Sequence, residues 1–349
     1  MTPLETLLRQ MIEQEGPMRL DRYMALCLGH PQHGYYMTRD PFGEAGDFVT
    51  APEISQMFGE LVGIWCATQW QAMGSPPDFN LIELGPGRGT LMADAMRAGK
   101  VMPGFIPAAH VHLVETSPVL RQMQREKLGG AIAWHDNLAE VPAGPAIVIA
   151  NEFFDAIPIR QFEWRQGHCF ERCVGLGEGG MAIGLAPVKD AGALEGEGEA
   201  VVFEDGSERN AIATEIGARL KAAPGAALII DYGHARSSPG DTLQAVRQHR
   251  FVDILDSPGE ADLTAHVDFE ALAKALASGG ASVHGPITQG AFLQAMGIDE
   301  RARVLDARTG VSAEEARERL AGEAQMGNLF KVLAATSPGM AAPYPFVQA

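Results

Sequence analysis

Apolar residues in the first dozen positions recur at three- and four-residue spacing, so that Leu4, Leu7, Leu8, Met11 and Ile12 share one helical face. Thr2, Pro3 and Glu5 ahead of them fit a capping box with proline at the first helical position. The same spacing predicts helices over about 20–28 and about 54–73, the second reading "ISQMFGELVGIWCATQW". Between those two, "GHPQHGYYMTRDPFGEAGDFVTAPE" has no period and is rich in Gly, Pro and polar residues. A segment that long reads as a lid or a binding loop rather than a connector.

From Asn80 the pattern changes to short apolar runs alternating with helical ones, which predicts a parallel sheet with crossover helices. Strands are expected at 80–84, 110–115, 131–134, 145–150, 226–231, 281–287 and 328–335. Residues 161–200 break the rhythm: "RQFEWRQGHCFERCVGL" reads as a hairpin turning at Gln166-Gly167, and "GALEGEGEA" as a Gly/Glu-rich loop. Another non-repetitive stretch runs from His234 to His266, before Asp268 caps the helix "FEALAKALAS" that ends at Gly279-Gly280. Ser312 and Glu315 suggest one more capping box. The chain divides on this reading into a helical segment with a lid loop (1–78), an α/β domain (79–338) carrying an insertion at about 161–225, and a tail (339–349).

Composition narrows the classes. Three hundred and forty-nine residues with 46% apolar and 20% charged positions suffice for one large α/β domain or two modest ones. A net charge of −17 with no basic run argues against nucleic acid, whose phosphates require clustered Lys and Arg, and suits a basic protein or peptide partner. Four cysteines, Cys27, Cys66, Cys169 and Cys173, are too few and scattered for a disulfide framework or a zinc site, so reduced thiols and no metal are expected. No run of eighteen apolar residues predicts membrane insertion, and the start lacks the features of a signal or transit peptide; the expected location is cytoplasmic.

Candidate chemistry concentrates in "LIELGPGRGTLMADAMR", residues 81–97. Gly85, Gly87 and Gly89, with Pro86 between the first two, allow a sharp turn from strand to helix and a close ligand approach. A phosphate-binding P-loop needs a lysine followed by Ser or Thr, and this turn has none; a dinucleotide fingerprint needs glycine where Thr90 stands. Glu83, two residues before the first glycine, suits the ammonium and sulfonium of S-adenosylmethionine and disfavours a diphosphate. Glu115, at the end of the next strand, is placed to accept ribose hydroxyls, and Asp136 and Asn137 lie past the third strand where an adenine edge would be addressed.

Six segments in order, "GDFVTAPEISQMFGELVGIW", "ELGPGRGTLMAD", "HLVETSPVLR", "NEFFDAIPIRQF", "IIDYGH" and "PGEADLTAHVDF", resemble the MidA-like methyltransferase family across residues 4–338. The resemblance implies a class I methyltransferase fold, Rossmann-like, with a seven-stranded sheet whose last strand is antiparallel, an N-terminal helical extension and an inserted subdomain. Mitochondrial members of that family are arginine methyltransferases that assist assembly of respiratory complex I. The resemblance therefore implies a protein arginine as methyl acceptor, with a complex I subunit as candidate partner.

An arginine acceptor is planar, cationic and rich in donors, so carboxylates near the methyl group should orient it and take its proton. Glu152 and Asp155 in "NEFFDAIP", and Asp47 on the long loop, are the candidates; Asn151, beginning that motif, is counted with the donor-binding residues. Phe153 and Phe154 are candidate pocket walls, Glu53 either a lid acid or a helix start, and Asp231 a candidate substrate contact. No G-x-S-x-G elbow supports hydrolysis. A donor-binding scaffold without turnover and a small-molecule methyltransferase remain open alternatives.

Overall fold

A computed structural model of the chain describes residues 1–39, 50–188 and 200–347. Asp47 and all of "GALEGEGEA" but its last residue lie outside the described residues. The chain forms two compact units that interleave in sequence: residues 1–48, 155–209 and 236–266 make one, and 49–154, 210–235 and 267–349 the other.

The second unit is built on a large sheet. Its strands are β1 (Phe79–Leu84), β2 (Ala109–Val114), β3 (Ile132–His135), β4 (Ala146–Asn151), β5 (Gly225–His234), β6 (Ser282–Thr288) and β7 (Phe330–Thr336). They lie in the order β3-β2-β1-β4-β5-β7-β6, and the short strand Val267–Asp268 adds to the end of β5 in parallel. Every pair among β1 to β5 is parallel, while β7 runs antiparallel to both β5 and β6. This is the class I methyltransferase sheet, and each strand lies within a few residues of its sequence expectation.

β1 and β4 are buried throughout and mostly apolar because both faces of the sheet are covered. On one face Leu81, Leu113, Ile149, Leu228 and Val332 pack with Phe58, Val62 and Trp65 of the helix Gln56–Ala72 and with Leu91. On the other, Ile82, Val148, Ile229 and Leu333 meet Ile216 and Leu220 of the helix Ser207–Ala222 and Leu272 and Leu276 of Phe269–Gly279. The helix Gln56–Ala72 crosses Thr90–Gly99 at close range: a Cβ on Gly63 would lie 2.5 Å from the Ala95 backbone, and one on Gly59 2.7 Å from the Asp94 Cβ.

The expected start of that long helix resolves into two pieces. A short helix Ala51–Ile54 stops at Ser55, whose extended backbone and side chain, accepting from the Met57 N–H at 3.3 Å, begin Gln56–Ala72. Asp268 caps its helix as expected, accepting from the Ala271 N–H at 3.0 Å. The expected capping box at Ser312 is corrected: Ala313 occupies the cap position of Glu314–Ala321, and Ser312 accepts only the first helical N–H, at 3.2 Å.

The first unit holds the helices Pro3–Glu15 and Leu20–Gly29, a five-stranded antiparallel sheet and a three-stranded one. Thr2 caps Pro3–Glu15 by accepting the Glu5 N–H at 3.0 Å. The expected hairpin joins Arg160–Arg165 to His168–Gly177 through Gln166 and Gly167, both at positive φ, as a tight two-residue turn requires. The stretch 234–266, without period in sequence, contributes the three-stranded sheet from Gln244–Arg247, Arg250–Val252 and Asp262–Thr264. Leu4, Leu8, Leu20, Tyr23, Val174 and Leu263 share its core. The buried guanidinium of Arg209 donates to the carbonyls of Asp155, Ile157, Ala265 and His266 and so ties two excursions of the chain together. Among the described residues no helix is long and apolar enough to cross a membrane.

Candidate functional site

In the second unit the glycine turn follows β1 directly. Gly85, Gly87 and Gly89 have φ of 61°, 52° and 75°, a left-handed region that a side chain disfavours. The Gly85 N–H donates to the Val114 carbonyl at 3.0 Å, and a Cβ at Gly85 would sit 2.8 Å from the Phe153 ring. Gly89 then starts the helix Thr90–Gly99. Sequence chose glycine here because the turn and the approach of the ring both exclude a side chain.

Glu83 is 3% exposed, and its Oε2 is buried without a hydrogen-bond partner. Burial, and then the Glu115 carboxylate on the neighbouring strand, raise its carboxyl from 4.5 to about 8. The thiol of Cys66, on the helix Gln56–Ala72, is itself pushed up by burial and by Glu83. Asn151, at the end of β4, also leaves its Oδ1 buried and unpartnered. Glu83 pairs in register with Ile149, two residues before Asn151, so the two side chains leave the same face of the sheet. Two orphaned acceptors beside a glycine turn fit a ligand that presents donors there, as the ammonium of an amino acid does.

Glu115 ends β2 and is nearly buried; its Oε1 accepts the Ser117 N–H at 2.8 Å and its Oε2 accepts from Gln124 Nε2 at 3.3 Å. Burial raises its carboxyl above the usual range, opposed by those donors. Asp136 pairs with Arg121 at 2.6 Å, and Asn137 donates to Glu140 at 2.9 Å; both are exposed and held by local partners.

Glu152 follows β4 with φ of 49°, a strained conformation for a non-glycine residue. Its N–H donates to the Ile230 carbonyl at 2.9 Å, and its Oε1 accepts from the Ala51 N–H at 3.0 Å and from Asn151 Nδ2 at 3.1 Å. The carboxylate thus sits at the start of the short helix Ala51–Ile54. Glu53 of that helix accepts the Thr90 hydroxyl and pairs with Arg88 at 3.3 Å, tying the helix to the glycine turn.

Asp231 is corrected from a substrate contact to a brace. It is fully buried, and its Oδ2 accepts the N–H groups of Phe153 and Phe154 at 3.2 and 3.0 Å while Oδ1 takes the Tyr232 N–H at 2.9 Å. It holds the turn that carries Glu152 from beneath. Phe154 is core, as an aromatic pair beside a sheet usually is, and Phe153 lies half-buried against it. Asp155 belongs to the first unit, buried, with its carbonyl held by Arg209 Nη2 at 2.9 Å and the Ala265 N–H at 3.1 Å. Sequence reasoning missed Gln124, which looks like one more polar position on the helix Pro118–Leu128 yet is completely buried.

Comparison with known proteins bears on this geometry. The family described as "Putative S-adenosyl-L-methionine-dependent methyltransferase" matches residues 61–287. The chain is 38% identical to the mitochondrial protein arginine methyltransferase NDUFAF7 homolog of Drosophila melanogaster, covering 97% of this chain and 85% of that one. It is 36% identical to the mitochondrial protein arginine methyltransferase NDUFAF7 of Homo sapiens, over 87% and 75%. A structure from Burkholderia thailandensis described as "a COG1565 superfamily member and likely methyl transferase", bound to S-adenosyl-homocysteine, superposes with a TM-score of 0.84 at 30% identity, over 97% and 92%. The curated relatives are named mitochondrial, which overturns the cytoplasmic expectation drawn from the first residues and the lack of a long apolar run.

Proposed function

This chain belongs to the S-adenosyl-L-methionine-dependent methyltransferase family, and on that premise we propose that it transfers a methyl group to an arginine side chain of a protein. The observation that carries the donor half is the pair of buried, unpartnered acceptors, Glu83 Oε2 and Asn151 Oδ1, beside the glycine turn. The acceptor half rests on the names of the relatives, which are protein arginine methyltransferases, and on the carboxylate at Glu152.

In this reading Glu83 and Asn151 hold the amino-acid end of the donor, the backbone of Gly85, Pro86, Gly87 and Gly89 approaches it closely, and Glu115 takes the ribose. Asp136 and Asn137 border the base. The donor, when bound, supplies a methyl group on a positively charged sulfur. Glu152 orients the guanidinium so that one nitrogen faces the methyl group, and accepts the proton that this nitrogen sheds as its new bond forms. The left-handed backbone at Glu152 sets the turn, and the Ala51 N–H and Asn151 amide, both donating to Oε1, hold the carboxylate. Asp155 and Asp47 stay proposed as further carboxylates on the sequence motifs alone, since a guanidinium offers five N–H donors. A respiratory complex I subunit is the proposed acceptor protein, on the family resemblance alone.

The test is transfer of label from isotopically marked donor to a peptide array with arginine, lysine and glutamine variants at each site. Label on arginine, lost in Glu152→Ala while donor binding persists by calorimetry, is the expected result. Normal turnover by Glu152→Ala removes that carboxylate from the mechanism, and label confined to small molecules removes the protein acceptor.

A further inference from the structure

The side-chain amide of Gln124 joins three strand ends of the donor site. It stands on the helix Pro118–Leu128, wholly buried, and each of its polar atoms is engaged. Nε2 donates to the Gly87 carbonyl at 2.7 Å and to Glu115 Oε2 at 3.3 Å, and Oε1 accepts from the indole Nε1 of Trp134 at 2.8 Å. Gly87 belongs to the turn after β1, Glu115 to the end of β2, and Trp134 to β3.

These partners leave the amide one orientation. Turned over, Oε1 would face a carbonyl and a carboxylate, acceptor against acceptor, and Nε2 would face an indole N–H, donor against donor. The indole donates only, so Trp134 decides which end of the amide points at the turn and at Glu115. The Arg125 guanidinium lies 4.8 Å over the Trp134 ring and packs on the indole face. Glu115 is then restrained by a donor on each oxygen, the Ser117 N–H on Oε1 and Gln124 on Oε2. A carboxylate fixed against rotation in this way keeps lone pairs aimed in one direction, which a vicinal diol requires of its acceptor.

We propose that Gln124 is a positioning residue for the methyl donor, oriented by Trp134, which locks the glycine turn and the Glu115 carboxylate into one geometry specific for a ribose with a free 2′-hydroxyl. The inference rests on the methyltransferase reading, because it takes Glu115 as the ribose acceptor. Removing the amide leaves Glu115 Oε2 and the Gly87 carbonyl without the donor they share, so Glu115 is held through Oε1 and the loss is felt through the ribose hydroxyl.

The experiment is calorimetric titration of the full chain with S-adenosyl-homocysteine and with its 2′-deoxy analogue, for wild type, Gln124→Leu, Gln124→Glu and Trp134→Phe. Wild type should bind the ribose ligand at least about tenfold more tightly than the deoxy ligand. In Gln124→Leu that preference should collapse to about twofold or less, because the oriented acceptor is gone. Gln124→Glu keeps the acceptor for Trp134 but sets a carboxylate against Glu115, so its affinity should recover as pH falls and the pair shares a proton. Trp134→Phe, the mildest change, should lower the preference part of the way and keeps the test open if a Gln124 variant does not fold. An undiminished ribose preference in Gln124→Leu or, where that variant does not fold, in Trp134→Phe overturns the proposal. Failure of wild type to bind either ligand overturns instead the methyltransferase reading on which it rests.

Discussion

At Glu83 burial opposes the charge that the proposed donor-binding role requires. Its carboxyl is raised from 4.5 to about 8 by burial and by Glu115, and one of its oxygens has no hydrogen-bond donor. The unfolded chain ionises this group near 4.5, and the folded chain near 8. Its contribution to stability is therefore complete below pH 4.5 and is lost as pH rises toward 8, above which the curve flattens. The loss amounts to roughly 5 kcal/mol at the plateau. Glu83→Gln keeps the shape and removes the titration. The variant and wild type should melt together at pH 4.5, and the variant should melt several degrees higher, about 5 °C or more, at pH 8.5. Donor binding should respond in the opposite sense. A cation recruits the ionised form, so the affinity of wild type for S-adenosyl-homocysteine should tighten between pH 6 and 7.5, while that of Glu83→Gln stays flat and weaker. Differential scanning fluorimetry across pH and calorimetry at the same points measure both. Parallel melting curves for the two proteins from pH 4.5 to 8.5 would refute the reasoning, because they would mean that Glu83 finds a donor in solution and titrates as an ordinary carboxylate.

Gly85→Ala sets a Cβ 2.8 Å from the Phe153 ring at a φ of 61°, and should weaken donor binding at least about tenfold while costing the fold only roughly 2 kcal/mol; equal affinity in calorimetry would show that the ring moves freely. Asp231→Asn puts an amide N–H against one of three backbone N–H groups, so the turn carrying Glu152 should loosen. Transfer rate in single-turnover assays should fall about tenfold or more and donor affinity change less than about twofold; a fall in affinity with unchanged rate would place the brace under the donor instead.

The strands of the large sheet were legible because burial on both faces leaves the sequence no choice but continuous apolar runs, as in "AIVIAN". The glycine turn was legible because φ above zero admits few other residues. The helix Ser207–Ala222 gave a weak signal, with Ala213, Ile216 and Leu220 as its fully buried apolar anchors, and the three-stranded sheet gave almost none because its strands span three or four residues. Gln124 and Asp231 were opaque for a different reason. A buried polar side chain differs from an exposed one only in its partners, and those lie up to 78 residues away in sequence. The carboxylates of "NEFFDAIP" looked equivalent in the sequence, yet Glu152 and Asp155 fall in separate compact units.

The position of β7 carries a consequence for synthesis. It follows every other strand of its sheet in the sequence, yet it lies between β5 and β6, pairing antiparallel with seven residues of β5 on one side and with β6 on the other, where the register shifts at Gly285-Pro286. Until it emerges, β5 and β6 each present an open edge of hydrogen-bonding groups that nothing earlier in the chain can close. A nascent chain halted before Phe330 therefore carries the glycine turn and β1 to β6 but with a slot through its sheet, a species exposed to strand capture by other chains.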